Sequence, residues 1–308
     1  MEDMHDTIKA AIIGQLIGDA VGYPYSDKKV PANQINMING PAGEEAGTYQ
    51  GPSALSLCTM ASINEYDEID LNDIMDKFND FMVGGYLSSA EDCSDLSEVT
   101  IAAIKNHLNG LPPDRCGLRE DERNDNECVA RILPIGLYCA AESDDMVIRH
   151  AHEACQITHA HVKSQVVCAL YCLIIRSLLL QKTGKVFDLL EEYYKTNKMN
   201  EYTEALQIMR DADRVIEESE NGRSPGYCFW VAWVSHAKFE NDFRKCVTNT
   251  ISLGGDTNST GAVAGGISGL VNRFHGIPKL WLDTIKLPAE AIETIEYFTN
   301  TVMKKITN

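Results

Sequence analysis

Leu253-Gly254-Gly255-Asp256-Thr257-Asn258-Ser259-Thr260-Gly261, running on into Ala262-Val263-Ala264-Gly265-Gly266-Ile267-Ser268-Gly269-Leu270, is the stretch from which the architecture reads most directly. Three hydroxyls (Thr257, Ser259, Thr260), one carboxylate (Asp256) and one amide (Asn258) occupy five consecutive positions behind two glycines that free the backbone to turn. The segment that follows is built from small residues and would be a poor helix in isolation, since each glycine costs about 1 kcal/mol against alanine. Such a helix is expected where neighbouring helices or a ligand approach very closely. Two roles are open for its front end. Helix-start amides attract anions, while Asp256 and the hydroxyls suit a hard cation or a sugar; equally, an Asp or Ser there is a plain N-cap on a buried helix.

The 308-residue chain is long enough for one large domain or two, and 44% hydrophobic residues supply a sizeable core. No abrupt shift in composition marks a linker. An excess of 45 acidic over 27 basic residues gives a formal charge of −18, with no Lys/Arg cluster, which argues against nucleic-acid polymers and anionic membranes as partners. A single nucleotide-like ligand stays compatible, because backbone amides can hold one anion. The N-terminus, Met-Glu-Asp-Met-His-Asp, lacks the basic region of a signal peptide. Residues 166–180 form the most apolar run, which is short and interrupted by Arg176. The expectation is a soluble, cytoplasmic protein. Ten cysteines include no CxxC pair; Cys168 and Cys172 share a helix face with no Cys or His partner at zinc spacing, so buried free thiols are expected.

Helical periodicity places helices at 7–22, 53–64, 71–83, 100–107, 131–141, 146–155, 187–197, 201–219, 227–235 and 239–252. The 131–141 helix carries Pro134 in its first turns. A further helix at 164–181 is apolar nearly all round, so other helices should enclose it as the hub of the core. His150, His152 and His161 read as exposed helix residues. Loops at 23–49, 86–95 and 116–126 are polar, and no strand-like alternation occurs. The fold class is all-α, in a single domain spanning 1–308.

Four elements in order resemble the ADP-ribosylglycohydrolase family. Gly18-Asp19-Ala20-Val21-Gly22 resembles its first-helix GDAxG. Asn126 with Arg131, Pro134, Ile135 and Gly136 resembles its Asn-Gly-x-x-Met-Arg-x-x-Pro-Ile-Gly element, with Glu127 and Ala130 departing. Thr158-His159 resembles a Thr-His helix start, and residues 254–262 resemble the C-terminal metal motif Gly-Gly-Asp-Thr-Asp-Thr. The resemblance implies an orthogonal helical bundle whose loops meet at a cleft. There, active members use two divalent cations, usually magnesium, to hydrolyse the N- or O-glycosidic bond between ADP-ribose and an acceptor. It also implies nucleotide contacts at Gly254, Gly255, the amides around Thr257, Gly226, Tyr227 and Asn126, with His159 either lining the cleft or serving structure alone. Asp95 resembles an acidic site residue of some members, and Glu44 or Glu45 a gating glutamate.

The departures fall on the metal ligands. The family's other metal motif, Thr-Asp-Asp-Thr, aligns with Gln50-Gly51-Pro52-Ser53, and Asn258 and Ser259 replace Asp and Thr in the C-terminal one. Three of four acidic ligands are therefore missing, and magnesium prefers carboxylates and water in octahedral array. The expectation is a family protein with a cleft for ADP-ribose, or an ADP-ribosylated molecule, that lacks two-magnesium hydrolysis. It would carry no metal, or one weakly bound magnesium among Asp256, Asn258, Ser259 and Ser53. The alternatives are an active hydrolase using one metal or none, with Asp256 and Asp95 as ligand or general base, and a structural scaffold. Restoring one carboxylate should not rebuild a two-metal site, because Gly51 and Pro52 still lack donors. Calorimetric titration of Asn258→Asp with magnesium should show no tight binding, and tight binding would defeat this reading.

Overall fold

The computed structural model describes residues 2–307 apart from 91, 94, 183 and 220. Among the described residues sixteen α-helices follow one another: α1 Glu2–Gly22, α2 Gly51–Tyr66, α3 Leu71–Gly84, α4 Glu98–Leu108, α5 Glu127–Arg131, α6 Leu133–Tyr138, α7 Asp144–Gln156 and α8 Val162–Leu179. The second half holds α9 Val186–Thr196, α10 Asn200–Met209, α11 Ala212–Glu217, α12 Pro225–Lys238, α13 Phe243–Ser252, α14 Thr257–Gly276, α15 Lys279–Thr284 and α16 Ala289–Thr307. Among the described residues there is no strand, only an isolated bridge between Leu118 and His159. The all-α expectation is met.

The axis of the bundle is an antiparallel pair, α1 on α14, packed backbone to backbone. Gly14, Gly18 and Gly22 on α1 recur every four residues and so share one face, as do Gly261, Gly265 and Gly269 on α14. A Cβ on Gly18 would fall on the carbonyl oxygen of Gly261, one on Gly265 on that of Gly14, and one on Gly269 on that of Ala10. The glycines of the quoted stretch thus serve close helix approach, at a separation where Cα–H···O contacts contribute. Around this pair, α8 is enclosed by α5, α6, α7, α10, α12 and α14, as its all-round apolar character requires. It is long and apolar enough to cross a membrane, but 72% of it is buried within the protein.

Two expected helices are broken. Residues 131–141 divide into the end of α5, α6 and a 3-10 turn at Cys139–Ala141, because Pro134 cannot donate and sits in the first turn of a new helix after Ile132. Residues 201–219 split at Asp211, whose side chain caps α11 by accepting from the Arg214 amide. The helices α15 and α16 escape the periodicity reading altogether. His152 is also corrected: it is buried, stacked on Tyr194 with ring centroids 5.7 Å apart and Nε2 3.0 Å from the tyrosine oxygen. Burial pushes its pKa down to about 3. Cys168 and Cys172 are buried free thiols as expected, and the fold adds what sequence spacing could not show, that the Cys168 sulfur lies beside those of Cys128 and Cys155.

Gly18→Ala forces a methyl into the Gly261 backbone and should destabilise the protein by about 3 kcal/mol or more. Gly84→Ala, with open space around its Cβ, should be neutral or slightly stabilising. Urea denaturation midpoints of the two variants check this contrast.

Candidate functional site

Four helices begin at one place. The starts of α2 (Pro52), α4 (Ser97, Glu98), α5 (Asn126, Glu127) and α14 (Asp256, Ser259), with Asp95, Arg123, Asp125 and Arg223 from the loops, line a cavity of about 400 Å³. Helix starts carry partial positive charge, which explains how so many carboxylates are tolerated together. Hollows of about 820 Å³ occur beside α3 and α16 and beside α8 and α9, but gather none of these groups.

Asp256 caps α14, accepting from the Ser259 amide at 3.4 Å. Burial, then the charge of Asp95, pushes its pKa up to about 6, against the pull of Ser259 and Arg223. Asp95 adopts a left-handed backbone (φ 49) and receives the Asn258 amide, Nδ2 to Oδ2 at 2.6 Å. Burial also raises Asp95, with Asn258 and Arg223 opposing. Arg223, on the loop before α12, pairs with Asp27 at 2.8 Å.

Asp19, fully buried on α1, accepts from the amides of Gln50 (3.2 Å) and Ser53 (3.3 Å) and thereby caps α2, whose own N-cap residue, Gln50, makes no side-chain cap. Burial lifts its pKa to about 7. The Ser53 hydroxyl lowers the cost of that charge by proximity but reaches no hydrogen-bond geometry, leaving its Oγ without a partner.

On the opposite wall His159 Nε2 stands 2.9 Å from Asp125 Oδ1, and Nδ1 stands 2.8 Å from Thr158 Oγ1, which accepts from Arg131 at 2.7 Å. Burial opposes charge on His159, but Cys128 and Asp125 outweigh it and push the pKa up to about 9; Asp125 in turn is lowered against burial by His159. Glu127 accepts from the Ser97 amide (3.0 Å), the Ser97 hydroxyl (3.2 Å) and Thr100 Oγ1, tying α5 to α4. Burial and the neighbouring Asp125 raise it to about 7. Asn126, one of the residues lining the cavity, is 1% exposed, and its Nδ2 has no partner. A buried orphan donor costs roughly 1–3 kcal/mol, so it points to a ligand or ordered water.

A second groove, about 530 Å³, includes Asp27, Lys29, Asn221, Gly222, Tyr227, Leu253 and Gly255. The Tyr227 hydroxyl donates to the Gly254 carbonyl at 3.3 Å. Gly254 (φ 81) and Gly255 (φ 78) require glycine, and a Cβ on Gly255 would lie 2.8 Å from the Gly222 Cα.

The family model described as ADP-ribosylglycohydrolase matches residues 1–306. The chain belongs to the ADP-ribosylglycohydrolase family. Among its relatives, an ADP-ribosylarginine hydrolase, Tri1, from Serratia proteamaculans (strain 568) is 22% identical over 91% of this chain and 75% of its own length. An ADP-ribosyl-[dinitrogen reductase] glycohydrolase from Rhodospirillum rubrum is 22% identical over 93% of this chain and 92% of its own. A solved structure titled ADP-ribosylglycohydrolase-related protein complex shares the fold, with a TM-score of 0.76 at 20% identity over 99% of this chain and 100% of that one.

Of the residues singled out from sequence, Asp95, Asn126, Asp256 and Ser259 line the cavity, and Tyr227 and Gly255 the groove. Asn258 reaches the site through Asp95. Four others serve packing or support. Gly226 turns away, its Cβ direction closed by Val215 at 2.8 Å and Met209 at 3.0 Å. The Thr257 hydroxyl is spent on the Gly22 carbonyl at 2.7 Å. His159 is wholly buried behind Asp125, and its neighbour His161 is the one that caps α8. Gly254 packs against Lys28 and Lys29. Glu44 is held by the Tyr23 hydroxyl at 2.9 Å and Glu45 by Lys286 at 2.7 Å, neither on the cavity wall. Sequence reasoning missed Arg123, Arg223, Asp125 and the anchoring role of Glu127. The charged character of residues 116–126 was the signal for Arg123 and Asp125, and Arg223 had none.

Asp19→Ala orphans two amides at the start of α2 and should cost about 1–2 kcal/mol, with Asp19→Asn costing less because one acceptor oxygen remains. Thermal unfolding of the pair measures the difference.

Proposed function

We propose that this chain is a metal-independent binder of ADP-ribose, or of the ADP-ribosyl part of a modified molecule, and no longer performs two-magnesium hydrolysis. The observation that carries the reading is the hydrogen bond from Asn258 to Asp95. A carboxylate only accepts, so the amide turns its NH2 group toward Asp95 and its oxygen away. Where two acids would need a cation between them, an acid and an amide hold each other directly. The α2 wall argues the same way: Gly51 and Pro52 bring no side-chain donor, and the side-chain oxygens of Gln50 and Ser53 that flank them are neutral. This donor set does not fit two dications with carboxylate-rich octahedral shells. The Arg223 guanidinium eases the charge of both Asp95 and Asp256, a task a bound cation would otherwise perform.

What remains suits a sugar phosphate. Ribose hydroxyls can donate to the carboxylates of Asp95, Asp125 and Asp256 and accept from the orphan Nδ2 of Asn126. Arg223 lines the cavity and pairs with Asp27 of the groove, so a diphosphate reaching from one to the other would meet its charge, with the nucleoside toward Tyr227. The acidic surface disfavours nucleic-acid polymers as partners, and the composition suits the cytoplasm.

A second reading, a residual hydrolase, draws on the raised pKa values of Asp256 and Glu127, since a carboxyl group titrating near neutrality suits general acid–base work. Calorimetry of metal-stripped protein with ADP-ribose separates the readings. We expect the same affinity with and without magnesium, and a loss of tenfold or more in Arg223→Gln. Binding that strengthens with magnesium, together with release of ADP-ribose from ADP-ribosylarginine, would favour the hydrolase; no binding in either condition would leave a scaffold.

A further inference from the structure

The sulfurs of Cys128 on α5, Cys155 on α7 and Cys168 on α8 all lie within 4.8 Å of one another, and all three side chains are fully buried. The first two are 27 residues apart and the last two 13, so no sequence spacing announces the cluster. Zinc–sulfur bonds of about 2.3 Å in a trigonal array hold sulfurs roughly 4 Å apart, within the observed limit. In the neutral state the Cys155 thiol faces the His159 carbonyl at 3.2 Å and the Cys128 thiol the Asp125 carbonyl at 3.7 Å, weak partners that a stronger ligand bond can replace.

A second observation bears on charge. The Arg131 guanidinium is 1% exposed and, among the described residues, forms no ion pair with a carboxylate. It donates to the carbonyls of Ala154 (2.9 Å) and Cys155 (3.4 Å) and to Thr158, lies over the Phe78 ring at 5.2 Å, and leaves its Nε without a partner. A buried cation without a counter-ion is costly, so an anionic partner close by is physically favoured.

We propose that Cys128, Cys155 and Cys168 form a buried three-thiolate site for a divalent d10 cation, with Arg131 as its counter-charge. Three thiols give up three protons as three metal–sulfur bonds form, with no change of oxidation state. The resulting complex carries one net negative charge, which Arg131 neutralises. Soft thiolates select such ions over magnesium, so this centre is chemically distinct from the cleft. The nearest imidazole, His159, has both nitrogens engaged by Asp125 and Thr158, so it adds no fourth ligand. The site is therefore trigonal and favours the larger, softer members of the class. With no exposure of any ligand, loading accompanies folding.

The test uses the full chain carrying Cys93→Ser, since Cys93 is the one cysteine that is not buried. Reduced protein is refolded from urea with one equivalent of Cd(II). We expect a sulfur-to-cadmium charge-transfer band that saturates at one ion per chain and a higher Tm than metal-free protein. Three sulfur neighbours should appear by cadmium X-ray absorption. Cys168→Ala and Cys128→Ala should lose the band, while Cys246→Ala, at a buried thiol outside the cluster, keeps it. Absence of a saturable band in the parent, a count of two or fewer sulfurs, or a band that survives in folded Cys168→Ala overturns the proposal. The parent titration and the sulfur count decide the matter even if the alanine variants do not fold.

Discussion

The contact between α1 and α14 is the constraint on which the rest depends. Two helices meeting without side chains between them can bury no large residue at their own interface, so stability has to come from what is packed around the pair. That is why α2, α8, α12, α13 and α16 surround it, and why the apolar α8 is closed in on several sides. The same close approach brings Gly22, at the end of α1, against Thr257, at the start of α14. A reacting or binding surface placed there inherits a rigid backbone floor.

From that floor the cleft follows. Asp19 projects from α1 into the start of α2, and Asp256 sits one residue before α14, so the pair of helices fixes two acids relative to two helix starts. The α4 and α5 ends are joined to each other through Glu127, and Asp125 is steadied from behind by His159. Each carboxylate thus has a mechanical task in addition to any contact with a ligand. The two tasks make different demands: capping needs only acceptors, whereas a divalent ion needs several anionic oxygens at once.

Much of this was legible in the sequence, and for identifiable reasons. The small-residue and all-round apolar runs announce close-packed helices, and Asp95, Asn126 and Asp256, singled out from the sequence, come together on the wall of one cavity. The rest was hidden because it depends on distance across the fold. Nothing local tells that Gly226 faces Met209, that His152 stacks on Tyr194, or that Arg223 from a loop near residue 220 meets acids from residues 95 and 256. Pro134 and Asp211 divided helices that periodicity alone ran together, since the pattern of apolar residues continues through the break. The three converging sulfurs belong to the same class of facts, coming from helices that are neighbours only after folding.

Nine of the ten cysteines being buried has a practical meaning for how this protein breathes. A thiol reacts with an alkylating reagent only as an accessible thiolate, so each buried sulfur is silent until its own neighbourhood opens. The cysteines are spread over α2, α5, α7, α8, α12 and α13, with others in the connecting segments. The chain therefore carries its own set of clocks: the order in which the sulfurs become modified would trace which helices part first and which separate only when the α1–α14 axis lets go.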